Sequence, residues 1–329
     1  MRHASSFVAL LVAICIPAPA GGEQMQGNYR APRTLDGRPS FEGNWTNATI
    51  TSLQRPPRYT SLVIPPGEVA AQTAAHPQVV RQRTDDDLDE SKPLTGSDLK
   101  GGRGYNAFWI DPGTTFARVR GEYRTSWIVD PADGQIPFLE GVRERMEARA
   151  NFDGPEGRPL GERCIVNSNS AGPPMLNYLY NNNYEIVQTA DALVIRAEMN
   201  NYARVVRIGG HHPSAAVRTL HGDSVGRWDG ETLVIETTNF HPLHARGVVP
   251  LTERGKVTER LTRVSPSEIL YEFTVEDPGI YARPWRGEMT FNATPERVFE
   301  YACHEGNYAL PGILAGAREQ EKQQASTVH

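Results

Sequence analysis

Near the end of the chain, "EYACHEGNY" (residues 300–308) sets Cys303, His304 and Glu305 side by side. Those residue types serve in metal ligation and nucleophilic catalysis. Read as a strand, "RVFEYACHE" puts Phe299, Tyr301, Cys303 and Glu305 on one face, opposite Val298, Glu300, Ala302 and His304. That alternation separates His304 from Glu305. It leaves Glu305 as a candidate acid or base on the face of Tyr301, a candidate ligand contact.

Histidines carry the stronger signal. Six of the nine, His211, His212, His221, His241, His244 and His304, fall between residues 211 and 304. Several lie in expected loops beside strands, where sites are commonly built. His212, His221 and His241 are therefore candidate proton-transfer groups, against the plain alternative of loop histidines without chemistry. His241 and His244, with Asp223, offer imidazoles and a carboxylate to zinc. Their spacing matches no zinc signature, and Pro242 opposes a helix that would hold them. Metal-free chemistry without a cofactor is the expectation, with zinc as the lesser alternative.

"TLVIETTNF" (232–240) has apolar residues on both faces, which predicts partial burial of Glu236 and Asn239. A buried Glu must be paired or protonated. Arg207, Arg260 and Arg263 are the candidate partners, so Glu236 is either half of a structural ion pair or a pocket acid or base. "PWRGEM" (284–289), with Tyr281 and Arg283, reads as an aromatic–basic edge. Arg283 and Trp285 could then meet an acidic sugar or an aromatic ligand, a packed strand being the competing reading.

Other motifs fail on context. "GDSVG" (222–226) matches G-x-S-x-G, but a turn and a strand follow where a nucleophile elbow needs a helix, so a loop between strands is expected. "GGRGYNAF" (101–108) lacks the Lys-Ser/Thr of a phosphate loop. "TDDDLDE" (84–90) lacks the spacing of a calcium loop and reads as a solvated surface.

The elements that must position these residues are mostly strands. Thirty Gly and 25 Pro favour turns over long helices. "FEGNWT" (41–46) reads as a first strand anchored by Trp45, residues 54–105 as loop-rich, 115–131 as a hairpin and 140–152 as a helix. From Tyr184, eight runs follow: "YEIVQT", "ALVIRAEM", "ARVVRIG", "ETLVIETTNF", "KVTERLTRVS", "EILYEFTVED", "RGEMTFNA" and "RVFEYACHE". Short turns separate most of them, and a longer loop spans 209–226. Such spacing predicts an antiparallel meander forming a barrel or sandwich. In "EILYEFTVE", Ile269, Tyr271, Phe273 and Val275 share the face expected to meet the core. A short helix over 313–322 closes the pattern.

The basic start Met1-Arg2-His3, the apolar run 7–20 and the site Ala18-Pro19-Ala20 read as a secretory signal cleaved near Ala20. A lipid anchor at Cys15 would need a small residue where Ile14 stands. No later apolar run reaches the ~18 residues of a membrane helix, so periplasmic or secreted location without membrane insertion is expected. A net charge of −5 with no basic block speaks against nucleic acid. Signal removal leaves Cys164 and Cys303, which in an oxidising compartment pair most simply as one disulfide. One inert and one reactive thiol is the alternative. The expected organisation is an irregular 21–40, one β-rich domain over 41–318 and a flexible tail over 319–329.

"LDGRPSFEGNW", "GDSVGRWDGETLVIETTNF", "TERLTRV", "EDPGIYARPW" and "YACHEGNY" together resemble a family of exported bacterial proteins of unknown function, over residues 34–318. The resemblance implies secretion and a shared fold, and no reaction. Gly43-Asn44-Trp45 is similar to the G-x-W of lipocalin-like barrels, where the Trp plugs one end, although the long loop region behind it departs from that pattern. Two functions follow as expectations. One is a lyase or hydrolase using His/Glu acid–base chemistry on an extracytoplasmic glycan or small organic molecule. The other is a binding protein for an apolar or aromatic ligand.

Overall fold

A computed structural model describes residues 29–86, 112–148, 157–166 and 172–327. The expected signal segment, the "GGRGYNAF" stretch, residues 87–90 of the acidic run and residues 149–152 of the expected middle helix lie outside them. The strands are β1 (Gly43–Thr46), β2 (Val63–Ile64), β3 (Arg118–Val119), β4 (Glu122–Arg124), β5 (Ile128–Asp130), β6 (Asn183–Gln188), β7 (Ala192–Ala197), β8 (Ala203–Ile208), β9 (Asp223–Asp229), β10 (Thr232–Thr238), β11 (Lys256–Ser265), β12 (Glu268–Glu276) and β13 (Trp285–Ala293). Helices are α1 (Val69–Ala74), α2 (Pro77–Asp86), α3 (Val142–Ala148) and α4 (Ala309–Thr327).

β1 and β6 to β13 pair in turn, and β1 pairs back onto β13 to close a nine-stranded barrel. β5 extends it beside the first half of β13, while β2, β4 and β3 form a small separate sheet. All barrel neighbours are antiparallel except β8 and β9, which run parallel. A parallel pair needs a crossover of about a dozen residues or more, and 209–222 supplies it. Closure leaves no unpaired edge around the ring.

The local chemistry explains the hairpins. Thr189 donates to Asp191 at 2.8 Å in the β6–β7 turn, and its amide bonds Ala192 O. Gly230 takes φ 60° in the two-residue β9–β10 turn, the left-handed geometry such turns require. Alternation fills the barrel as expected on β12, where Ile269, Tyr271, Phe273 and Val275 are all buried. Tyr271 and Tyr184 both meet Phe291 edge-on, and Phe273 lies against Tyr271, so aromatic rings fill the middle. Gly287 is obligatory on β13, because a Cβ there would stand 2.2 Å from Phe273 Cζ. Trp45 is buried, donates through Nε1 to Phe41 O at 2.9 Å and carries the Arg263 guanidinium 5.1 Å above its ring. Phe41 stacks in turn on Trp228.

Several expectations need correction. "RVFEYACHE" is not a strand: residues 297–308 run irregularly, so alternation assigns no faces to His304 and Glu305. "DSVGRWD", expected within a loop, is strand β9, since Ser224 and Gly226 meet the close-packed interior while Asp223 and Val225 face outward. The region 54–105 contains α1 and α2, and residues 319–327, expected as a tail, continue α4. Cys164 and Cys303 form a disulfide with Cα atoms 5.7 Å apart, tying residues 297–308 to 157–166. No helix among the described residues is long and apolar enough to cross a membrane.

Candidate functional site

Three groups of polar side chains stand out. The first lies inside the barrel, where β8 aims Arg204 at Glu259 of β11. Arg204 Nη1 donates to Glu259 Oε1 at 3.0 Å, and Nη2 pairs with Oε2. Arg204 Nε donates to Ser224 Oγ at 3.0 Å, and Ser224 shares a 2.8 Å bond with Thr237 Oγ1. Tyr271 OH donates to Glu259 Oε1 at 2.6 Å and accepts from the Met175 amide at 3.0 Å. Arg204 and Glu259 are essentially sealed from water. Burial works against the Arg204 charge, but the facing Glu259 carboxylate outweighs it and holds the guanidinium proton more tightly than usual. Burial first, and Glu259 second, push the Tyr271 hydroxyl far up, so it stays a donor. Desolvating such a pair costs several kcal/mol per ion, and only complete hydrogen bonding of this kind offsets it.

The second group covers one side of that network. His221 is buried with its ring centroid 4.2 Å from that of Tyr202 and 6.0 Å from that of His244, which also leans on Phe240. Burial, His244 and Arg204 lower the His221 pKa to about 3. Burial lowers that of His244 to about 4. Neither Nδ1 atom has a hydrogen-bond partner. A Cβ on Gly172 would stand 2.0 Å from His221 Nδ1, so only glycine permits that approach.

The third group sits on the outer barrel face, where the crossover meets the start of β9. Arg207 grips Asp223 with two bonds, Nη1 to Oδ1 at 2.8 Å and Nη2 to Oδ2 at 2.9 Å. His212 Nδ1 lies 2.7 Å from Asp223 Oδ2, and its Nε2 lies 3.6 Å from Glu236 Oε1. A carboxylate can only accept, so Nδ1 carries the proton and Nε2 is free to take another. Partial burial raises the Asp223 pKa, but bonds from Arg207 and His212 outweigh it and hold the carboxyl below its usual value. Asn239, in the left-handed region at φ 59°, donates to Pro213 O at 3.2 Å and fastens the crossover to the end of β10.

The expected site residues thus divide. His212, Glu236 and Asn239 belong to the outer group, while His221 belongs to the buried one. Glu236 was expected to be partly buried, yet its side chain is 49% exposed, because β10 turns it outward opposite Val225. None of its expected partners pairs with it: Arg207 bonds Asp223, Arg260 bonds Asp229 and Arg263 bonds Ser40 O. His241 is exposed, and its Nδ1 caps a 3-10 turn by accepting from the Leu243 amide at 3.2 Å. The zinc set does not assemble, since His241 points to solvent, His244 inward and Asp223 to His212. Among the described residues, no three His, Cys, Asp or Glu side chains converge as metal ligands. Glu305 is exposed, and Tyr301 lines a separate cleft. Trp285 is fully buried against Phe273 and Tyr281, which removes it from any surface edge; Arg283 stays exposed, paired with Asp130 at 3.0 Å.

Arg204, Glu259 and Tyr202 were not anticipated, and Tyr271 was expected only as a core residue. Glu259 left a trace: in "KVTERLTRVS" it alternates with Val257 and Leu261 on the core face.

Together the fold and these groups define a closed mixed β-barrel with a charged interior and a disulfide-tethered segment beside it. Comparison of the chain with known family models, curated proteins and solved structures gives no match.

Proposed function

We propose that the protein is an acid–base enzyme, a lyase or hydrolase acting on an extracytoplasmic glycan or small organic molecule, with His212 as the proton-transfer group. The supporting observation is the 2.7 Å contact between His212 Nδ1 and an Asp223 carboxylate that Arg207 already holds in place. A base whose other nitrogen is fixed by an anchored carboxylate is the recurring arrangement for proton transfer. His212 Nε2 takes a proton from water or from an activated carbon and returns it to the leaving oxygen. The resulting imidazolium is steadied by Asp223, and Glu236, 3.6 Å away, supplies a second carboxylate. The disulfide is compatible with an oxidising compartment. Against carriage of an apolar ligand in the lumen stand the aromatic rings and the ion pair that occupy it.

The test is turnover of a panel of polysaccharides, uronate-containing glycans and aryl esters, read as new reducing ends or as ultraviolet absorbance of unsaturated products. His212→Gln should lower kcat by about 10²–10⁴-fold, the usual share of a general acid or base. Asp223→Asn should change the pH profile as well as the rate. Wild-type rates in His212→Gln, or no turnover of any substrate by the wild type, would overturn the reading.

A further inference from the structure

Beside the barrel lies a cleft of about 660 Å³, walled by residues 159–166, 246–248 and 301–307. Its size is within the ~300–1,000 Å³ typical of small-ligand sites. Three aromatic rings line it, Tyr178, Tyr180 and Tyr301, the first two meeting edge-on with centroids 5.4 Å apart. Arg246, Asn307 and Glu162 line it too, giving donors and acceptors of both kinds with one positive and one negative charge. Glu162 Oε2 is buried without a hydrogen bond, its nearest cation being Arg158 at 3.7 Å. Two features hold the walls in place. The Cys164–Cys303 disulfide joins two of them, and Asn201 brackets Tyr301 by accepting from its amide at 3.2 Å and donating to its carbonyl at 3.3 Å.

We propose that this cleft binds a neutral oligosaccharide segment. Sugar rings present apolar C–H faces to flat aromatic rings and hydroxyls to a mixed set of donors and acceptors. Arg246 and Glu162 bring opposite charges to the lining, which favours neither an anion nor a cation. Prior fixation of Tyr301 lowers the ordering cost of binding. The cleft does not depend on the His212 chemistry, because a protein that only binds glycans would use it equally.

Calorimetric titration of the full chain with maltotetraose, cellotetraose and chitotetraose tests this. At least one should bind saturably. Tyr301→Ala and Tyr180→Ala should each weaken it about tenfold or more, as loss of an aromatic anchor does. Tyr301→Phe, which keeps the ring, and His212→Gln, which leaves the cleft intact, should bind as the wild type does. Melting curves matching the wild type establish that the variants are folded, and the two alanine variants are independent should one fail. Binding of none of the three sugars, or unchanged affinity in a folded alanine variant, overturns the proposal whatever becomes of the His212 reading.

Discussion

Acidification from pH 7 to pH 5 should destabilise this protein through His221 and His244. In the unfolded chain each titrates at its ordinary value of 6.5, whereas in the folded state burial holds them at about 3 and about 4. A histidine with a depressed folded pKa binds its proton more readily when unfolded. Stability therefore rises with pH in the window between the two values and falls as pH drops through 6.5. At pH 5 the unfolded ring lies 1.5 pH units below its 6.5 midpoint and the folded ring is still neutral, so at 1.36 kcal/mol per unit each histidine removes about 2 kcal/mol, and the pair about 4 kcal/mol. Tyr202, Arg204 and each other are the titratable or charged groups facing these rings, and none offers a carboxylate that would welcome the added charge. The assay is urea unfolding at pH 7, 6 and 5 of the wild type, His221→Gln and His244→Gln. Comparison of slopes cancels carboxylates and His76, whose pKa burial and Arg58 lower to about 4. Each variant should lose about 2 kcal/mol less than the wild type between pH 7 and pH 5. Identical losses in all three proteins would show that the two rings reach solvent or a hidden acceptor, and the reasoning would fail.

Two further outcomes follow from the buried ion pair and the disulfide. Glu259→Gln strands a buried guanidinium and should cost about 3–5 kcal/mol in chemical unfolding, while the double variant Arg204→Met/Glu259→Leu should recover more than half of that loss; a double variant less stable than the single would refute the coupling. Reducing Cys164–Cys303, which closes a loop spanning 139 residues, should cost about 5 kcal/mol in the chain-entropy model, and unchanged urea midpoints with and without reductant would count against any structural role for the bond.

Much of the barrel was legible in the sequence because it depends on period. β12 reads from its alternation alone, since the four residues assigned to its core face are all buried. The failures have physical causes. β9 carries Ser224 and Gly226, which depress strand propensity, but Gly226 packs against Val206 and Leu233 where a Cβ would crowd them. Residues 297–305 alternate like a strand, yet β13 already pairs with β12, β5 and β1. The ring is closed, and alternation without a free edge makes no strand. The disulfide was readable because the expected removal of the first 20 residues leaves two cysteines, a count that needs no geometry.

The candidate site was half legible for a related reason. The density of histidines between 211 and 244 marked the region where two of the three polar groups assemble, but a sequence pattern cannot say that one barrel joint is parallel. That joint forces the chain to cross from the end of β8 back to the start of β9 through 209–222, and the crossover carries both His212 and His221. One stays outside, where Asp223 at the first position of β9 catches it. The other arrives two residues before Asp223 and is driven inward, against Tyr202 and above Arg204. Two nearby histidines thus acquire opposite environments from a single topological switch. One keeps a carboxylate partner and an open nitrogen, and the other loses its proton to burial. Any account of function that treats these histidines as equivalent has to explain how a buried imidazole without a hydrogen bond at Nδ1 and a partly exposed one clamped by a carboxylate would share a role.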